Sequence, residues 1–214
     1  RSVNEALREK KPSSMDHRIV LTDSSTRIVH EAGEVIFGAG GAPVRMVGTV
    51  QDITERKTAE ERTTRAYQQQ AILQEILQLS LDNMPFDEVL ERTLEKILSI
   101  EWLPIKRRGA IFISEGSVLS LKSHRGFSKE ILASCGKVPY GRCICGLAAS
   151  EGTVQFTSSV DERHVIRYDG MEPHGHYCVP IKTGKQVLGV INLYVDDGHI
   201  RDRKQEEFLE TVAD

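Results

Sequence analysis

The sequence His176-Tyr-Cys-Val-Pro-Ile181, together with the later stretch Val187-Leu-Gly-Val-Ile-Asn-Leu-Tyr194, decides the expected fold of this chain. Both stretches are short and rich in β-branched and aromatic residues, which is typical of β-strands. The few residues between them form a short connection, and short connections favour antiparallel neighbours. We therefore expect these to be the closing strands of an antiparallel sheet.

The residues before these strands predict an alternation of helices and strands. A long helix is expected over residues 54–81, because no strong breaker interrupts it, and an amphipathic helix follows Asn83-Met-Pro85. The other expected elements are a hairpin (109–113 and 118–121), a short helix (129–133), a glycine-rich loop (138–146), a strand (154–156) and a last helix (205–212). This order indicates an α+β domain with a central antiparallel β-sheet flanked by helices.

The first 50 residues predict a separate antiparallel meander. Four short strands are expected over residues 18–21, 27–30, 34–37 and 44–50, with turns at 23–25 and 38–41. Such a small set of strands would make a marginal core alone. We therefore expect this part to lack its N-terminal half or to borrow a partner.

Composition and charge narrow the classes of function. With 39% hydrophobic and 28% charged residues, the chain of 214 residues fits a soluble globular protein. Its net charge of -3 argues against a nucleic-acid partner, which would require a positive surplus. No apolar run approaches the ~20 residues needed to cross a bilayer, so we expect no membrane contact. Four cysteines in 214 residues is ordinary usage, so a reducing cytoplasm is the expected compartment. The start without methionine indicates that the fragment is excised from a longer protein.

Two stretches carry resemblances to known families. Gly48-Thr-Val-Gln-Asp-Ile-Thr-Glu-Arg-Lys57 resembles the C-terminal signature of PAS domains, where the last strand runs into a signalling helix. Residues 71–214 resemble a GAF domain, with landmarks at Val138-Pro-Tyr-Gly141 and in the two closing strands. The resemblances imply the C-terminal part of a PAS domain (1–56), a helical linker (57–70) and a GAF domain (71–214) with about six strands.

These resemblances also imply a function. GAF domains sense small molecules or proteins and carry no chemistry of their own, so this fragment is not expected to be an enzyme. PAS-GAF tandems sit upstream of output modules, which implies a parent sensor histidine kinase of a two-component phosphorelay, or a diguanylate cyclase. A homodimer formed through the helices is the expected assembly. A dimerisation and relay scaffold without ligand, and an enzyme like the methionine sulfoxide reductases that share the GAF fold, are the alternatives.

Cysteine and histidine side chains form the candidate sensing site. Cys143 and Cys145 are expected in the loop before a helix, and His174 and His176 lie on a segment whose alternate side chains share one face when extended. Two thiolates and two imidazoles would complete a tetrahedral shell for zinc or iron. Three further candidates are less strongly placed: Asp161, His164 and Cys178.

Other interpretations of the same residues stay open. Cys143 and Cys145, or one of them with Cys178, could form a redox pair, and the whole cluster could be structural. Cys135 is expected to lie outside the cluster, as a small core or helix-end residue. A bilin is not expected, because no cysteine is followed by histidine. Haem fits less well than a bare metal, because aromatic residues make up only 6% of the chain.

Overall fold

The computed structural model describes residue 8 and residues 11–81, 83–168 and 170–214. The chain divides into two compact units, Arg1–Gln68 and Gln69–Asp214. Within the described residues, no helix combines the length and the apolar character needed to cross a membrane.

The first unit contains a three-stranded antiparallel sheet in the order β1-β2-β3, followed by the start of helix α1. The bounds are β1 Ser13–Val20, β2 Thr26–Phe37, β3 Pro43–Asp52 and α1 Thr54–Leu81. The expected meander is present, but the expectation of four strands is wrong. Residues 27–30 and 34–37 belong to one strand, because Glu31, Ala32 and Gly33 between them pair with both neighbouring strands.

The second unit is built on a six-stranded sheet in the order β6-β5-β4-β9-β8-β7, with every neighbouring pair antiparallel. Its helices are α2 Phe86–Leu98, α3 Lys129–Cys135, α4 Cys143–Glu151 and α5 Arg203–Ala213. Its strands are β4 Ile105–Glu115, β5 Val118–Arg125, β6 Lys137–Pro139, β7 Gln155–Thr157, β8 His174–Thr183 and β9 Gln186–Asp196. The α+β prediction with a central antiparallel sheet and flanking helices is confirmed.

The two faces of this sheet carry two different cores, because side chains alternate along each strand. On β8, Tyr177 and Val179 belong to a core shared with helices α2 and α5, whereas Cys178 between them belongs to a core shared with α4. Strand β9 alternates in the same way, with Leu193 in the first core and Val190 in the second. A side chain of β8 that belongs to one core is therefore followed directly by a side chain that belongs to the other core.

Helix α4 begins earlier than expected and corrects the prediction of a loop around the two cysteines. Gly141 turns the chain with a φ of +73°, and Cys143 starts the helix with a φ of +58°. A Cβ at Gly146 would lie 2.3 Å from the backbone oxygen of Pro139, so the helix packs against the turn only with glycine there. In the sequence these glycines indicate a loop. In the structure they allow the first turn of α4 to pack directly against the preceding turn of the chain.

We expect Gly189→Ala to destabilise the second unit by about 2 kcal/mol, the usual cost of overpacking a closely packed site. A Cβ at Gly189 would lie 2.2 Å from the backbone oxygen of Phe112 on the neighbouring strand. Denaturant unfolding followed by fluorescence of the single tryptophan, Trp102, measures the loss.

Gln186→Ala on the same strand is the control, because Gln186 is exposed and its truncation creates no clash. Its free energy of unfolding should stay within about 0.5 kcal/mol of the parent value. Equal stability of the Gly189 and Gln186 variants would contradict the packing argument.

Candidate functional site

A small buried cavity lies between α4 and the sheet in the second unit. Its volume is about 20 Å³, enough for one water molecule. It is lined by apolar side chains, thiols and two imidazoles: Phe112, Cys135, Val138, Cys143, Ile144, Cys145, His164, Ile166, His176, Cys178, Asn192 and Tyr194. Polar and sulfur-containing side chains thus meet inside an apolar core.

Three histidines converge beside this cavity. One ring nitrogen from each of His164, His174 and His176 lies within 4.8 Å of those of the other two, and all three residues are buried. The Nε2 atoms of His164 and His176 are 3.2 Å apart. His174 and His176 come from β8, whereas His164 comes from the segment between β7 and β8.

Hydrogen bonds fix the protonated nitrogen in two of these rings. Nδ1 of His176 lies 2.9 Å from Oδ1 of Asn192, and Nδ1 of His174 lies 2.6 Å from the backbone oxygen of Glu172. Both oxygens are acceptors, so each Nδ1 carries the proton and donates it. In a neutral ring the lone pair then belongs to Nε2.

The remaining ring nitrogens are less well satisfied. Because Nε2 of His176 carries a lone pair, Nε2 of His164 must donate to it across the 3.2 Å contact. Nδ1 of His164 and Nε2 of His174 are buried without a hydrogen-bond partner. An unsatisfied buried polar atom costs roughly 1–3 kcal/mol, so the arrangement needs an explanation.

Burial keeps the three imidazoles neutral. It lowers the pKa of His164 and of His174, and it lowers the pKa of His176 well below its usual value. The neighbouring histidines add to the effect at His176, since a like charge disfavours protonation. Neutral imidazoles offer lone pairs to an electrophile, and protonated ones do not.

The cysteines form a second group that lines the same cavity. The Sγ atoms of Cys145 on α4 and Cys178 on β8 are 3.5 Å apart, and all four cysteines are free thiols. The contact with Cys178, and then burial, raises the pKa of Cys145 well above its usual value. Burial also raises the pKa of Cys143, and that of Cys135 to about 12.

The structure brings some of the predicted site residues together and leaves others apart. Of the four predicted metal ligands, the structure brings His174 and His176 together with His164, while Cys143 and Cys145 line the cavity beside them. In the described ranges, the three histidines are the one group of three or more potential ligands whose donor atoms converge within 4.8 Å. Cys135 is the last residue of helix α3, as predicted, but its side chain lines the same cavity, so it is not separate from the cluster.

Asp161 has a structural role in the described chain. Its carboxylate accepts hydrogen bonds from the Arg163 side chain and backbone and from Thr157 at 3.0 Å. These bonds, led by the one from Arg163, lower the pKa of Asp161. Its oxygens are thus occupied by neighbours in its own loop.

Sequence reasoning missed two residues of β9, Asn192 and Tyr194. Both are buried on the cavity side of the sheet, opposite Cys178 and His176 respectively in the β8–β9 register. The signal was the polar residue Asn192 inside a run of apolar residues, which marks a buried hydrogen-bonding position. The backbone oxygen of Glu172 gave no signal, because any residue supplies it.

Comparisons with known proteins agree on the family. The family model for the GAF domain matches residues 83–214. No match was found among curated proteins. Among solved structures, the GAF domain of nlh2 from A. aeolicus in an inactive state is 21% identical, with a TM-score of 0.55, covering 70% of this chain and 93% of that one.

Two other solved structures show the same fold in different contexts. The GAF domain of a phosphoenolpyruvate-protein phosphotransferase from Coxiella burnetii is 18% identical, with a TM-score of 0.58, covering 68% of this chain and 88% of that one. The free methionine-R-sulfoxide reductase from Neisseria meningitidis is also 18% identical, with a TM-score of 0.55 and coverages of 70% and 86%. Since its family model spans more than half of the sequence, the chain belongs to the GAF domain family.

Proposed function

We propose that this chain is the sensory and regulatory part of a bacterial signal-transduction protein. In this proposal the cavity of the GAF domain detects a metal, a redox state or another small ligand. Helices then relay the change to an output domain of the same protein. A sensor histidine kinase is our first candidate for the output and a diguanylate cyclase the second.

One observation carries the proposal: strand β8 connects the cavity to the start of helix α5. His176 and Cys178 line the cavity, and Tyr177 between them lies in the opposite core. The hydroxyl oxygen of Tyr177 accepts a hydrogen bond of 3.1 Å from the backbone N–H of Asp202. Asp202 is the N-cap of α5 and accepts hydrogen bonds from the amides of the first turn. A shift of β8 at the cavity would therefore move the hydrogen-bond partner of the N-terminus of α5.

Helix α5 also contacts a natural reporter. The ring of Trp102 lies 4.8 Å from that of Phe208 on α5, in an edge-to-face arrangement. The chain has one tryptophan, so its fluorescence reports on the surroundings of this residue, which include the contact with α5. Movement of α5 can thus be followed without a label.

The proposal gives the first unit a relay role as the C-terminal part of a PAS domain. Its meander ends at Asp52, whose carboxylate accepts a hydrogen bond of 2.9 Å from the amide of Thr54 at the start of α1. The hydroxyl of Thr54 in turn accepts a bond from the amide of Ile28 in β2. The strand, the turn and the helix start are thus joined by short contacts, as a strand-to-helix relay requires.

A ligand-free dimerisation scaffold is the alternative. Helix α1 leaves Leu77 and Leu81 exposed at 61% and 71%, which suits a helix that packs against a second copy. This alternative assigns the cavity a structural role only. It predicts that changes in the cavity do not reach α5 beyond what any core substitution does.

Thiol catalysis has less support than sensing. The sulfoxide reductase from Neisseria meningitidis shares the fold, so free methionine sulfoxide is the substrate to test. The thiolate is the nucleophilic form of cysteine, and burial raises the pKa of Cys143 and contributes to the raised pKa of Cys145. We therefore expect the reduced protein to turn over free methionine sulfoxide no faster than its Cys145→Ala variant. Turnover lost in that variant would show an enzyme.

The sensory proposal predicts two effects of Cys178→Val. Trp102 fluorescence should change, and the exchange rates of the amides of residues 205–213 should change by at least about fivefold, the lower range of coupling between sites. In a Tyr177→Phe background the same substitution should have no further effect, since the hydrogen bond to Asp202 is missing. Exchange measured by mass spectrometry on folded protein provides the comparison.

Leu119→Val is the matched control, because Leu119 is buried in the same core as the cavity but does not line it. It should leave exchange in α5 unchanged once global stability is accounted for. Equal effects of the Leu119 and Cys178 variants on α5 would favour the scaffold and refute a cavity-to-helix relay.

A further inference from the structure

We propose that His164, His174 and His176 form a binding site for one divalent first-row transition metal, zinc or iron, completed by a fourth ligand of about the size of one water molecule. The inference rests on the proposed function and names the ligand of the same cavity. It departs from the mixed set of two cysteines and two histidines that the sequence predicts. The ligands we assign here are all imidazoles.

The spacing of the nitrogens suits a shared metal ion. Two imidazole nitrogens bound to one zinc ion at 2.0–2.1 Å in tetrahedral geometry lie about 3.4 Å apart. The Nε2 atoms of His164 and His176 are 3.2 Å apart, and one ring nitrogen of His174 lies within 4.8 Å of a nitrogen in each of the other two rings. One pair is thus already at the spacing that a shared ion imposes, and the third ring would move closer on binding.

The hydrogen bonds around the rings match those of bound imidazoles. A metal-ligating histidine almost always donates its other N–H to a carboxylate, a carbonyl or water, which fixes the ring orientation. His176 donates from Nδ1 to the side chain of Asn192, and His174 donates from Nδ1 to the backbone oxygen of Glu172. Both rings thus direct an Nε2 lone pair away from these partners.

A metal would also give a partner to a buried atom that has none. Nε2 of His174 has no hydrogen-bond partner, and a metal ion would accept its lone pair. Binding at Nε2 of His164 would move the proton of that ring to Nδ1, which has no partner either, so the metal accounts for the nitrogen of His174 only. Between His164 and His176 the ion would replace the 3.2 Å hydrogen bond that joins the two Nε2 atoms.

The surrounding charges indicate what completes the shell. Three imidazoles are neutral, so they leave the charge of a divalent ion uncompensated. Arg108, Lys106 and Arg167 act on these rings as nearby positive charges, and Asp197 acts as a negative one. This excess of positive charge disfavours a bare divalent ion, so it favours binding together with an anionic fourth ligand, such as hydroxide or a small anion from solvent. The cavity of about 20 Å³ reaches His164 and His176 and has room for one such group.

The thiols are not needed as ligands. Cys145 and Cys178 contact each other at 3.5 Å, and the Sγ of Cys178 lies 3.8 Å from Oδ1 of Asn192, the acceptor that holds His176. These thiols therefore lie beside Asn192, the hydrogen-bond partner of His176, and are not part of the histidine group. Softness alone does not exclude sulfur, so the test separates the two ligand sets.

The experiment is a competition titration of the reduced protein with zinc, followed by replacement of zinc with cobalt(II). We expect one zinc ion per chain and a visible cobalt spectrum of tetrahedral type, without the near-ultraviolet charge-transfer band that thiolate ligands produce. His164→Gln and His176→Gln should each weaken zinc binding by at least about a hundredfold, more than loss of an outer hydrogen-bond partner does.

Two controls make the result decisive. His124→Gln alters a histidine of β5 that stacks on Phe127 and does not belong to the group of three, and it should leave zinc affinity unchanged. Cys143→Ser combined with Cys145→Ser should do the same. Loss of zinc binding in the double cysteine variant, or a thiolate band with cobalt, would overturn the all-histidine site. Absence of stoichiometric zinc or iron(II) binding to the folded parent protein would overturn the metal site altogether.

The outer hydrogen bond gives an independent prediction. Asn192→Leu removes the acceptor of His176 and should weaken zinc binding about ten- to a hundredfold, whereas Asn192→Asp keeps an acceptor and should retain it. Melting of both variants without metal shows that they fold. Equal zinc affinity of the leucine variant and the parent would contradict the role of Asn192.

The metal site and the relay can fail separately. If zinc and iron(II) do not bind but Cys178→Val still changes α5 through Tyr177, the metal inference is wrong and the sensory proposal stands. If a metal binds without any change in Trp102 fluorescence, the ion is structural and the sensory proposal loses its ligand.

Discussion

The pairing of β8 with β9 is the constraint on which the site depends. The register places Cys178 opposite Asn192 and His176 opposite Tyr194. All four residues are buried on the same side of the sheet, because directly paired residues of antiparallel strands share a face. A slip of one residue would exchange every side chain on β8 between the two cores. The hydrogen bond from His176 to Asn192, the thiol contact and the position of Tyr177 all follow from this one register.

The fold of the second unit was largely predictable from the sequence. The closing strands, the amphipathic helices and the hairpin have strong periodicity, so their type and order follow from local patterns. Two local errors have physical causes. Glycines 141 and 146 look like loop residues but permit a close helix start, and residues 31–33 stay in β2 because strands on both sides pair with them.

The site was predictable in composition but not in grouping. The sequence pointed to histidines and cysteines, and alternation along β8 correctly grouped His174 with His176. It could not show that His164 reaches the same point, because the segment between β7 and β8 folds back over a distance that no local pattern encodes. Nor could it separate thiols from imidazoles, since that depends on how α4 docks on the sheet.

The hydrogen bond that joins β8 to α5 places unequal demands on its two partners. Tyr177 contributes a side-chain hydroxyl, so the link requires a tyrosine at that position. Position 202 contributes only a main-chain N–H, which every residue except proline carries. Residue 202 can therefore be substituted by any residue except proline without loss of this hydrogen bond between α5 and β8. Relatives with different capping residues at this position could keep the same mechanical connection, provided that the tyrosine remains.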